Sequence, residues 1–69
     1  MIELLIFAHK SASLRQIAEI GREAESVGLR VTSVNPALGI IAGKAETAEI
    51  VDRLRALRNV GNVKEKKPR

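Results

Sequence analysis

One histidine, His9, and no cysteine stand in a chain of 69 residues. An imidazole could act as a general base or bind a metal ion. Beside Ser11 and Ser13, however, a lone histidine is more often a surface or capping residue. Lys10 and Lys44 carry the amine for Schiff-base chemistry, but that chemistry needs a desolvated lysine in a cavity able to hold a substrate. A chain this short has only a thin core in which to build one. No spacing of Asp and Glu marks a carboxylate pair. Gly39 and Gly43 are too sparse for a phosphate-cradling loop and read as positions of close packing or strand bending. The absence of Cys removes disulfides and thiolate-bound zinc or iron–sulfur centres. The expectation is a protein without catalytic residues, metal or cofactor, which works by binding.

Charge is the other chemical resource. The net charge is +4. Lys10, Arg15, Arg22 and Arg30 balance Glu3, Glu19, Glu23 and Glu25 up to Gly43, so the excess lies in the last third of the chain. Lys64, Lys66, Lys67 and Arg69, with Pro68 among them, face the single Glu65 in what reads as a basic C-terminal tail over residues 64–69. Sequence-specific RNA binding would need aromatic side chains on which bases stack, and Phe7 is the one aromatic residue. What remains is weak, salt-sensitive attraction to polyanions.

The elements that must position these groups follow from periodicity. Residues 2–8 form a near-continuous aliphatic run, too short for a helix, and predict a strand with apolar residues on both faces. Ser13 and Gln16 have the spacing of a capping box and start a helix. Leu14, Ile17, Ala18, Gly21, Ala24 and Val27 form its expected apolar stripe, and Gly28 ends it. Residues 29–34 predict a second strand, stopped by Asn35-Pro36, and residues 39–44 a third, in a hairpin with the second. Thr47 is the expected N-cap of a second helix with Ile50, Val51, Leu54 and Leu57 buried. Asn59 supplies its left-handed stop, and a fourth strand covers residues 60–63.

The order strand-helix-strand-strand-helix-strand predicts an α+β, ferredoxin-like βαββαβ domain over residues 1–63: a four-stranded antiparallel sheet with both helices on one face. The other face is then open. Leu5 and Phe7 alternate with Leu4 and Ile6, so aliphatic and aromatic side chains are expected there as a docking surface. A domain this small gains stability from a partner subunit, and a homodimer through the open face is one expectation. Zero Cys fits a reducing cytoplasm, and the opening residues lack the basic start and cleavage site of a signal peptide. No run approaches the roughly 20 apolar residues that span a bilayer. A cytoplasmic protein that does not enter membranes is expected.

The second half resembles a known family. Leu38-Gly39-Ile40-Ile41-Ala42-Gly43-Lys44, then a helix ending Leu54-Arg55-Ala56-Leu57, then Val60-Gly61-Asn62-Val63, is similar to the subtilisin-propeptide type of peptidase-inhibitor domain, especially its small stand-alone members. The resemblance implies a protein-binding module that inhibits a subtilisin-like serine protease or guides its folding. In that family the open sheet face lies on two surface helices of the protease and the C-terminal tail enters the substrate cleft. Carried onto this chain, Val60 and Val63 match the family's Val pair, and Lys64, Lys66, Lys67, Pro68 and Arg69 match the start of the tail. With Leu5 and Phe7 they make up the expected partner-binding set. One departure is chemical: the family has acidic residues after the second Val, where carboxylates can cap helix N-termini on the protease, and here lysines flank Glu65.

An ACT-like regulatory domain shares the topology. The alternative is thus a small-molecule site at a dimer interface, with His9, Lys10, Ser11 and Ser13 in the loop before the first helix. The Asp or Asn and the Pro-Gly that this family places there are missing.

Overall fold

A computed structural model describes residues 2–66. Six elements follow one another: β1 (Ile2–Ala8), α1 (Leu14–Ser26), β2 (Arg30–Asn35), β3 (Ile40–Ala45), α2 (Ala48–Arg55) and β4 (Val60–Lys66). The strands form one sheet in the order β2-β3-β1-β4 with antiparallel neighbours. This is the ferredoxin-like α+β arrangement.

β1 lies between β3 and β4 and is apolar apart from Glu3, so its side chains meet a neighbouring strand on either side although helices cover only one of its faces. Leu4 and Ile6 point under the helices and are 1% and 0% exposed. They meet Ile41 and Ala45 of β3, Val63 of β4, Ile17, Ile20 and Ala24 of α1, Val51 and Leu54 of α2, and Leu29.

Local signals set the helix ends. The Ser13 amide donates to Gln16 Oε1 at 2.7 Å and the Gln16 amide donates to Ser13 Oγ at 3.2 Å, so both halves of the capping box are formed. At the other end Gly28 takes φ 107°. Its amide donates to the Glu25 carbonyl at 3.1 Å, and that of Leu29 donates to the Ala24 carbonyl at 3.0 Å. Together these make a Schellman motif that turns the chain from α1 into β2. Asn59 takes the expected positive φ, 69°, but α2 ends before it, at Arg55 with Ala56 as a right-handed C-cap, so Asn59 turns the chain into β4 without being the stop of the helix. Thr47 is the N-cap of α2 by position and extended backbone, but its side chain makes no capping hydrogen bond.

The apolar stripe of α1 differs from the expected one. Ile20 is buried, whereas Leu14 is 67% exposed and Ala18 is exposed. At 100° per residue the buried set Ile17, Ile20, Gly21 and Ala24 is centred away from the Leu14–Ala18 flank, and only the direction from which the sheet approaches selects one flank over the other. β2 and β3 each begin one residue later than expected, because Leu29 belongs to the helix cap and Gly39 to the turn. β4 runs to Lys66, three residues further than the sequence implied, because β1 offers it partners as far as Glu3. The domain boundary at residue 63 therefore moves into what had read as tail.

Gly43 marks the tightest packing. A Cβ there would lie 2.8 Å from the Arg30 carbonyl oxygen and 2.9 Å from Leu29 Cδ2. Any side chain would push the start of β2 off β3, which is the close approach expected of this glycine.

A candidate protein-binding face

The strand register arranges the open face in three rows across the sheet. Arg30, Lys44, Glu3 and Lys66 oppose one another in the first. Ser33, Ala42, Leu5 and Lys64 form the second, and Asn35, Ile40, Phe7 and Asn62 the third. A bulge at Thr32 in β2 interrupts the pairing between Val31 and Ser33.

Leu5, Phe7, Ile40 and Ala42 make an apolar centre that no helix covers, and all four are half-buried by their own neighbours. Lysines stand around it. Lys44 Nζ lies 3.7 Å from Glu3 Oε1, an ion pair with both side chains about half exposed and hence of small energetic weight. Glu3, Leu5, Thr32, Ala42, Lys44 and Lys66 border a hollow of about 130 Å³ at this end of the face. The charged row at one end and the amide-flanked Ile40–Phe7 row at the other give the face a polarity along the strands.

The partner-binding residues expected from sequence divide between the two sides of the sheet. Leu5, Phe7, Lys64 and Lys66 share the open face. Val63 does not: opposite Ile6 and 4% exposed, it is a core residue and no surface for a partner. Val60 is half-buried and packs against the same core. A register shift between Phe7 and Ala8 sets Val60 opposite Ala8 and Val63 opposite Ile6, so both members of the pair lie on the helix side of the sheet. The pleat also separates Glu65, which opposes Leu4, from Lys64 and Lys66, which oppose Leu5 and Glu3. Lys67, Pro68 and Arg69 lie outside the described residues.

Ile40, Ala42 and Arg30 were missed as parts of this face. For Ile40 and Ala42 the signal was the alternation in β3, where Ile41, Gly43 and Ala45 are buried and the intervening residues are not; Arg30, in β2, joins the face through its pairing with Lys44.

The loop between β1 and α1 holds the alternative set. Nδ1 of His9 lies 2.8 Å from Ser11 Oγ and accepts the Ser11 amide at 3.3 Å. An amide only donates, so Nδ1 is the acceptor and the hydroxyl donates to it. His9 and Lys10 border a hollow of about 270 Å³ with Ala8, Ala12, Leu38 and Gly39. Ser11 and Ser13 are outside its wall, their hydroxyls engaged in the loop and the helix cap. The structure thus brings His9 and Lys10 together at a hollow and leaves the two serines to local structure.

Among the described residues no polar or charged side chain is buried, and no three His, Asp or Glu side chains are grouped to hold one metal ion. No helix is long and apolar enough to cross a membrane. No family model matches the chain, and no curated protein and no solved structure matches it.

Proposed function

We propose that the chain is a protein-binding module that docks a partner protein on its open sheet face, in the manner of a propeptide-like inhibitor or folding assistant of a subtilisin-like serine protease. One observation carries this reading: Leu5, Phe7, Ile40 and Ala42 form a contiguous apolar centre on the side of the sheet that has no helices. Apolar clusters left open and rimmed by polar groups mark interaction sites.

The rim defines the partner's chemistry. Arg30, Lys44, Lys64 and Lys66 stand against Glu3, so the face fits a protein surface with an apolar ridge and carboxylates beside it. A second copy laid face to face would bring the lysines of both chains together, which disfavours the homodimer through this face. The reading includes no catalysis by the chain itself.

The test is inhibition of a panel of subtilisin-like proteases by the full chain, with Phe7→Lys alongside. Inhibition weakened at least about tenfold by the lysine, with an unchanged far-UV circular dichroism spectrum, is expected of a docking residue. Inhibition unaffected by Phe7→Lys, or none by the wild-type chain at any protease, would remove the protease reading.

The hollow beside His9 and Lys10 supports a second reading, a small anionic ligand held in the loop before α1. It predicts thermal stabilisation by a carboxylic-acid library that disappears in Lys10→Ala and persists in Phe7→Lys.

A further inference from the structure

The two edges of the sheet are built differently. β4, at one edge, ends in Lys64, Glu65 and Lys66, charges of the kind that keep an exposed strand from pairing with another chain. β2, at the other edge, carries a single charge, Arg30 at its start; beyond it Thr32, Ser33, Val34 and Asn35 are exposed and uncharged. They belong to a run without any charged residue from 31 to 43, in a chain where 29% of residues are charged.

The same side of the molecule carries the exposed large hydrophobic side chains of the described residues, Leu14 at 67%, Val34 at 42% and Leu38 at 69%. The topology explains why they gather. α1 packs on β2, and Val34 Cγ2 would sit 3.9 Å from a Cβ on Gly21. Around the helix, Leu14 and Ala18 project within about 60° of Gly21, on the flank turned to the β2 edge. α1 runs opposite to β2, so its first residue, Leu14, lies toward the end of the sheet where the turn with Leu38 follows the strand.

We propose that β2 pairs antiparallel with β2 of a second copy about a two-fold axis, joining two four-stranded sheets into one of eight strands and packing Leu14, Val34 and Leu38 of each chain into the contact. An antiparallel strand is self-complementary under such an axis, so one edge supplies both halves of the hydrogen-bonded ladder. The bulge at Thr32 lies near the start of β2, and residues 33–35 keep regular pairing with β3. Charge selects the second copy over other occupants. Two basic chains meet here on an uncharged strip, and with the axis near Ser33 the two Arg30 residues are about 20 Å apart. That is roughly twice the distance over which physiological salt screens them. The joined sheets leave both open faces on one side and accessible, so the inference stands independently of the partner proposed for that face.

Light scattering of the full chain across the micromolar range is the test, with Val34→Lys, Leu38→Lys and Phe7→Lys measured beside it and circular dichroism as the control for folding. Twice the 7.5 kDa mass of one chain is expected for the wild type. Each edge substitution enters a two-fold interface twice and should weaken the dimer by about 100-fold or more, while Phe7→Lys leaves it intact. Leu38 is in the turn and 69% exposed, so its variant reports on pairing even if Val34→Lys unfolds. A wild type with the mass of one chain throughout, or a dimer that survives Leu38→Lys and is lost in Phe7→Lys, would overturn the proposal.

Discussion

The two faces of β1 are made from nearly the same residues and have different fates. Leu4 and Ile6 are sealed under α1 and α2, whereas Leu5 and Phe7, their immediate neighbours in sequence, look out from a bare sheet. Hydrophobicity alone does not separate the pairs. What separates them is that both helices return to the same side, so one face becomes core and the other becomes surface with core-like composition. An apolar surface retained at that position is the physical basis for assigning it to a partner.

The sharpest way to break this comparison is to truncate the same residue type on each face. Leu4→Ala should cost about 2–5 kcal/mol in urea unfolding, because it removes buried methyl groups and leaves a cavity. Leu5→Ala should cost about 1 kcal/mol, because its side chain already meets water. Equal losses would mean that the open face is covered in solution, and a concentration-dependent loss for Leu5→Ala would show that a partner copy covers it.

A smaller effect tests how closely the edge strand lies on the sheet. Gly43→Ala puts a methyl group against the Arg30 carbonyl and Leu29, and should destabilise by about 1–3 kcal/mol through overpacking. A neutral result would show that β2 moves freely relative to β3, and the edge it presents would then be too loose for the proposed pairing. The smallest effect compares the two helix starts on the covered face. Ser13→Ala should cost about 1 kcal/mol and Thr47→Ala a few tenths or less, since only Ser13 accepts a capping hydrogen bond. A reversal, read from thermal unfolding, would place the cap of α2 on Thr47 in solution.

Legibility followed the range of the interaction. The capping box at Ser13 and Gln16, the turn at Gly28 and the left-handed Asn59 depend on residues within one helical turn, and each was readable from residue type and spacing. The order of elements and the outward parity of Leu5 and Phe7 came from periodicity and held in the same way. Val63 failed as a surface residue because its orientation depends on pairing with Ile6, which is far away in sequence. The basic tail was misjudged for a related reason. Lys64 and Lys66 look like solvated charges in one dimension, yet β1 extends far enough to hold them in a strand, and the pleat then sorts them onto the open face and Glu65 off it.

By itself, the sequence determined where both helices start, where α1 stops, and which segments are strands. These are consequences of local backbone preference and of the period of the apolar pattern. Only the tertiary structure decided which flank of α1 is buried, which members of β4 face the helices, and that Leu14, Val34 and Leu38 stay exposed. Burial is a property of what approaches from elsewhere in the chain, and no spacing within a single element specifies it.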